Sequence, residues 1–157
     1  MAEERASSLG GKNVLYVATA IARPDDLDLT RRIQAHRERR HYDWGLLELR
    51  GGSLDYVLEA ADGWSVVLFD SLTLWVSARL LGGGESEILE EFERFLERAS
   101  TRPEPVILVS DEVGLGIVPE GREGRRFRDL LGLVNQRAAA AAEEVHLCVA
   151  GIAQRIK

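Results

Sequence analysis

The 157 residues are 45% hydrophobic, enough for one substantial core and too few for two full domains, so one compact domain over 1–157 is expected. A formal net charge of -6 disfavours a nucleic-acid partner. One cysteine excludes an internal disulfide, no apolar stretch is long enough for a membrane span, and the opening Met-Ala-Glu-Glu-Arg is unlike a secretory signal, so a cytoplasmic protein is expected.

In chain order, Ala2 to Ala6 reads as the end of a helix, and four β-branched apolar runs read as buried strands: Val14 to Ala18, Val66 to Phe69, Val106 to Val109 and Val145 to Val149. Cys148 lies in the last of these, which predicts a buried core thiol. Ser53 reads as a cap before a helix carrying Leu54, Val57 and Leu58. Ile88, Leu89, Phe92, Phe95, Leu96 and Ala99 form a helical stripe, with Glu90, Glu91, Glu93 and Glu97 around it. Another helix is expected from near Gly124 into the alanine run 138–142. The stretches 82–84 and 101–105 read as loops. Strands alternating with helices predict a mainly parallel sheet covered on both faces.

Residues 31–40 hold five arginines against one glutamate, the composition of an anion site. On a helix, Arg32, His36 and Arg40 would share one face, placing a neutral imidazole between two guanidinium groups, an arrangement suited to phosphoryl or nucleotidyl transfer. The same spacing equally lets His36 border the core while the arginines form a solvated face. His41 and His146 lack ligand-spaced partners for zinc. Asp70 closes one strand and Asp111-Glu112 follow another, the positions at which nucleotide folds hold Mg²⁺. Gly114-Leu115-Gly116 is followed by Pro119 where a dinucleotide fingerprint needs glycine, so it reads as a structured loop. Arg122, Arg125, Arg126 and Arg128 read either as a solvated helix face or as contacts to a phosphate-bearing substrate or neighbouring subunit.

The blocks Asn13 to Ala20, Arg32 to Arg37, Glu112-Val113-Gly114-Leu115-Gly116-Ile117-Val118-Pro119 and Arg126 to Leu130, with Asn135-Gln136 and Gly151 to Lys157, resemble the bifunctional adenosylcobinamide kinase/adenosylcobinamide-phosphate guanylyltransferase family. The resemblance implies an α/β P-loop NTPase fold of the RecA-like kind, usually a homotrimer. It implies phosphorylation of adenosylcobinamide by a nucleoside triphosphate (ATP or GTP), then GMP transfer from GTP to adenosylcobinamide phosphate through a guanylylated histidine, in nucleotide-loop assembly of adenosylcobalamin. By resemblance, His36 matches that histidine; Ala18, Thr19, Ala20, Arg37, Glu38, Arg39, Arg40, Glu48 and Asp70 fall where the family binds GTP, with Asp70 the Mg²⁺ partner. Asp111 stands where the family more often has asparagine.

The family opens with a strand and a Gly-rich loop ending Gly-Lys-Ser or Gly-Lys-Thr, and residues 1–157 contain no such motif; Gly10-Gly11-Lys12 directly precedes a strand and is no substitute. Two expectations follow. Either the start is assigned downstream of the true one, or the chain is a truncated, catalytically impaired subunit that binds cobinamide or partner chains. In both cases the kinase step depends most on the loop, so residues 1–157 alone are not expected to sustain robust phosphorylation of cobinamide.

Overall fold

The computed structural model describes residues 1–20, 28, 30, 31, 33–35 and 43–157. Helix α1 spans Ala2–Gly10 and stops at Gly11, whose φ of 58° lies in the left-handed region that glycine enters without a Cβ clash. Strand β1 (Val14–Ala18) follows, then β2 (Gly45–Glu48). Ser53 caps α2 (Leu54–Ala60) by accepting a bond from the Asp55 N–H. Next come β3 (Val66–Asp70), α3 (Leu72–Leu80), α4 (Glu85–Ser100) and β4 (Val106–Val109). A 3₁₀ turn at Val113–Leu115, the long helix α5 (Arg122–Ala141) and the strands β5 (His146–Val149) and β6 (Ile152–Arg155) complete the described chain.

Strands β2, β1, β3 and β4 form a four-stranded sheet in that order, every pair parallel. The architecture is thus the expected α/β class, a mainly parallel sheet with helices on both faces. One face packs against α2, α3, α4 and α5 through Phe69, Trp75, Ile88, Phe92, Phe95 and Leu131. There the rings of Trp75 and Phe92 lie 5.9 Å apart, and those of Phe92 and Phe95 6.1 Å. Each such buried aromatic contributes on the order of 2 kcal/mol by removing apolar surface from water. The other face, built on Val14, Tyr16, Val66 and Leu68, meets Ala6 of α1 and Trp44. The Trp44 indole donates to the Gly11 carbonyl at 3.0 Å, so its one polar atom is satisfied. At Gly45 a Cβ would fall 2.4 Å from the Trp64 ring, so only glycine lets that indole lie against β2.

Two expectations are corrected. The first concerns residues 145–149. Strand β5 pairs antiparallel with β6 rather than joining the parallel sheet, and Cys148 is exposed rather than a core thiol. Among the described residues this hairpin is covered only in part: Leu147 is half-buried, whereas Val149 is 61% and Ile152 73% exposed. It is tied down by polar contacts. Lys157 donates to the Ala139 and Ala140 carbonyls at the end of α5, each at 2.9 Å, and Arg5 of α1 reaches Glu144 at 3.2 Å. The bond from His146, then the charges of Arg155 and Arg5, hold the Glu144 carboxyl below the usual range. That tie therefore persists above the ordinary carboxylate pKa and is lost as pH falls through the lowered value.

The second correction is Glu91. Its position beside the apolar stripe suggested a surface acid, but only 6% of it is exposed. It accepts from the Leu54 N–H at 2.8 Å and from Arg79 at 2.7 Å, joining α2, α3 and α4 through one carboxylate.

Strand β4 lies at the sheet edge among the described residues, yet all four of its side chains are apolar and half-buried. An open edge beside apolar surface promotes association. The 157-residue chain is accordingly expected to bind an apolar fluorescent dye and to elute as concentration-dependent oligomers; a dye-free monomer that melts in one cooperative step would contradict this.

Candidate functional site

In a parallel sheet all carboxyl ends face one way, and ligands of open α/β folds bind outside that edge. The register places Glu48 of β2, Ala18 of β1, Asp70 of β3 and Val109 of β4 in one row across the sheet, and this row forms the carboxyl edge. Three residues expected at the nucleotide, Glu48, Ala18 and Asp70, are thus brought side by side by backbone pairing. Glu48 is half-buried and bound by Arg50 across the turn that ends β2.

Thr19 follows Ala18 and is 1% exposed. Its backbone N–H donates to the Asp70 carbonyl at 3.1 Å. Its hydroxyl accepts from the Ser71 N–H at 2.7 Å and donates to the Ser71 carbonyl at 2.9 Å. One buried side chain therefore satisfies both backbone polar groups of Ser71 and fixes the segment that carries Asp70. Ala20 is half-buried just beyond. Ser71 in turn caps α3, accepting from the Leu74 N–H at 3.4 Å.

The neighbouring strand end is fixed in the same manner. Thr73 of α3 accepts from the Asp111 N–H at 2.9 Å. Asn135 of α5 accepts from the Ser110 hydroxyl at 2.6 Å and donates to the Asp111 carbonyl at 3.1 Å. Glu112 accepts from Gly114 N–H at 2.9 Å and so shapes the turn that was expected to be a structured loop. Asp70 and the exposed Asp111-Glu112 pair therefore leave adjacent strands at one edge. In the second basic cluster, Arg126 is paired with Glu85 at 2.5 Å and Arg125 holds the Pro119 carbonyl at 3.1 Å. Lys12 pairs with Asp43 at 2.8 Å and Gly11 merely ends α1, which agrees with reading 10–12 as no phosphate cradle.

His36, Arg37, Glu38, Arg39 and Arg40 lie outside the described residues, as do Arg32 and His41. Gln34 and Arg31 are exposed and Ile33 is half-buried.

No group of three or more His, Cys, Asp or Glu side chains stands ready to cage a metal among the described residues. Mg²⁺ needs none: it keeps several waters and is held by one or two carboxylates together with substrate phosphates. Asp70, a carboxylate at the carboxyl edge, is the kind of donor that fits a Mg²⁺ arriving with a nucleotide.

Residues 1–156 match the family model described as cobinamide kinase / cobinamide phosphate guanyltransferase. The chain belongs to this family. It is 38% identical over 158 residues to the bifunctional adenosylcobalamin biosynthesis protein CobU of Escherichia coli (strain K12), an alignment covering 92% of this chain and 86% of that protein. It is 37% identical over 154 residues to the corresponding CobP protein of Pseudomonas aeruginosa, covering 98% of this chain and 88% of the relative. The CobU protein of Salmonella typhimurium is 38% identical over 160 residues, with 92% and 86% covered. The family fold is of the P-loop type, as expected from the resemblance. No helix among the described residues is long and apolar enough to cross a membrane.

Two polar side chains carry no signal of their own in the sequence: Tyr16, whose phenol donates to Asp70, and Thr73, which accepts from the Asp111 N–H. Thr73 follows the capping serine of an unanticipated helix, and Ser71 before an apolar run was the signal that could have revealed it.

Proposed function

We propose that this chain performs the two reactions of its family, phosphorylation of adenosylcobinamide by ATP or GTP and transfer of GMP from GTP to adenosylcobinamide phosphate. The observation that carries the reading is the Glu48–Ala18–Asp70 row at the carboxyl edge of a parallel sheet, in a chain matched to the family over residues 1–156. The guanylyl half is the part these residues support furthest. In it an imidazole nitrogen of His36 forms a bond to the α-phosphorus of GTP, and the bond to the bridging oxygen breaks with its electron pair leaving on pyrophosphate. The arginines at 37, 39 and 40 offset the charge of the phosphates, Ala18, Ala20, Glu38 and Glu48 line the nucleotide, and the buried Thr19 acts from beneath by fixing the strand end. A phosphate oxygen of adenosylcobinamide phosphate then displaces the histidine, forming a P–O–P link and restoring the free imidazole. Asp70 is the residue that holds Mg²⁺, which when bound neutralises phosphate charge and orients the leaving pyrophosphate. The 157 residues act as one nucleotide-binding domain, in a cytoplasmic homotrimer.

The test is a chase. The protein incubated with Mg²⁺ and GTP labelled at the α-phosphorus is expected to gain an acid-labile covalent label, which adenosylcobinamide phosphate then removes in equimolar amount. ATP labelled at the γ-phosphorus should label adenosylcobinamide in a separate reaction once a Gly-rich-loop extension is supplied. If neither adduct nor labelled corrinoid forms, the reading is wrong.

A further inference from the structure

Tyr16 lies in the middle of β1 and is 3% exposed, packed with Val14, Leu68, Val66 and Trp44 on the face that α1 covers. Phenylalanine would fill that space equally well, so the hydroxyl calls for a polar partner. It has one: the Tyr16 phenol donates to Oδ2 of Asp70, 54 residues away in the chain. The register explains how they meet. Tyr16 lies opposite Leu68, and Asp70 is two residues further along β3 on the same face, so the phenol reaches the acid diagonally.

We propose that Tyr16 is a positioning residue for Asp70, aiming its carboxylate at the metal–nucleotide complex; this rests on reading Asp70 as the Mg²⁺ partner. The backbone around Asp70 is held by Thr19, through its N–H on the Asp70 carbonyl and its hydroxyl on Ser71. Tyr16 supplies the matching constraint on the side chain. An ionised carboxylate accepts at about four lone-pair sites, so the phenolic bond on Oδ2 is compatible with the same group also meeting a cation. Because its ring is locked in the apolar layer, the phenol is a rigid donor, and loss of a group that orients a metal-binding carboxylate typically costs about 10–100-fold in metal affinity.

The experiment measures Mn²⁺ affinity by electron paramagnetic resonance, in the presence of GTP, for the unmodified 157-residue chain, Tyr16→Phe, Asp70→Asn and the double variant. Tyr16→Phe is expected to weaken Mn²⁺ binding about tenfold. In the Asp70→Asn background the same change should have no further effect, a coupling that a merely structural role would not produce. Val14→Ala, which trims the same apolar layer without touching a hydroxyl, controls for packing: it should lower the melting temperature and leave Mn²⁺ affinity unchanged. Asp70→Asn weakening binding while Tyr16→Phe does not would overturn the proposal and leave Asp70 as metal partner. Affinity that follows melting temperature across all variants would overturn it also. Binding that is absent, or indifferent to Asp70→Asn, would overturn the underlying assignment of Asp70 and this inference with it.

Discussion

His36→Asn is expected to abolish covalent labelling by α-labelled GTP, with the rate of adduct formation falling at least about a thousandfold, as for other lost nucleophiles. Asparagine keeps a similar size and a hydrogen-bonding end but has no basic ring nitrogen to attack phosphorus. The change should therefore remove the chemistry while sparing nucleotide binding. Three results belong together: GTP affinity within about threefold of the unmodified protein, loss of the acid-labile label and, when the Gly-rich-loop extension is present, retained phosphorylation of adenosylcobinamide, since no histidine adduct is needed there. His41→Asn is the companion control, because residue 41 falls outside the Arg32, His36, Arg40 spacing and outside the matching family position. Label that survives in His36→Asn, or disappears only in His41→Asn, would move the nucleophile elsewhere.

Glu91→Ala is expected to be the most damaging single exposed-looking change for stability. The alanine would leave the Leu54 N–H without its acceptor and Arg79 without its carboxylate, in a helix layer where Arg79 Nε is already buried without a partner. Breaking one side of a buried pair costs about 3 kcal/mol. For a chain of this size that corresponds to a fall of roughly 10 °C in melting temperature. Glu91→Gln keeps an oxygen for Leu54 and should lose about half as much. Glu90→Ala, one residue away and exposed, should stay within about 0.5 kcal/mol of the unmodified protein. Thermal melts of the three variants decide it, and equal melting temperatures for Glu90→Ala and Glu91→Ala would show that the α2–α3–α4 junction does not depend on this carboxylate.

The contrast between those two glutamates marks what a sequence can disclose. Val14–Ala18, Val66–Asp70 and Val106–Val109 were legible as strands because β-branched runs that are buried on both faces have few other ways to fold. Helix α4 was legible because its apolar residues keep one helical stripe. Helix α3 was not, since Leu72, Leu74, Trp75 and Val76 form a run with no polar face to give a period. Strand β6 carries Gln154 and Arg155 and gave no apolar signal. Cys148 failed for another reason. An apolar run reports that cover is favourable, whereas the cover itself depends on what packs beside it, and the β5–β6 hairpin leaves Cys148 exposed among the described residues. At the site, Asp70 and Glu48 could be singled out by resemblance, but their alignment in one row comes from strand order, which is a long-range property. Tyr16 read as one more core residue, because its hydroxyl's partner lies 54 residues away.

That row also acts as a ruler. Glu48 and Asp70 flank Ala18 on two neighbouring strands, so two inter-strand steps, about 10 Å, separate their backbones whatever their side chains do. The span is set by peptide hydrogen bonds, the least adjustable lengths in the fold, and it matches an extended ligand better than a single atom. On the proposed reading of Asp70 as the metal partner and Glu48 as a nucleotide contact, the two acids would meet different parts of one bound molecule, and a shortened ligand that reached one would forfeit the other.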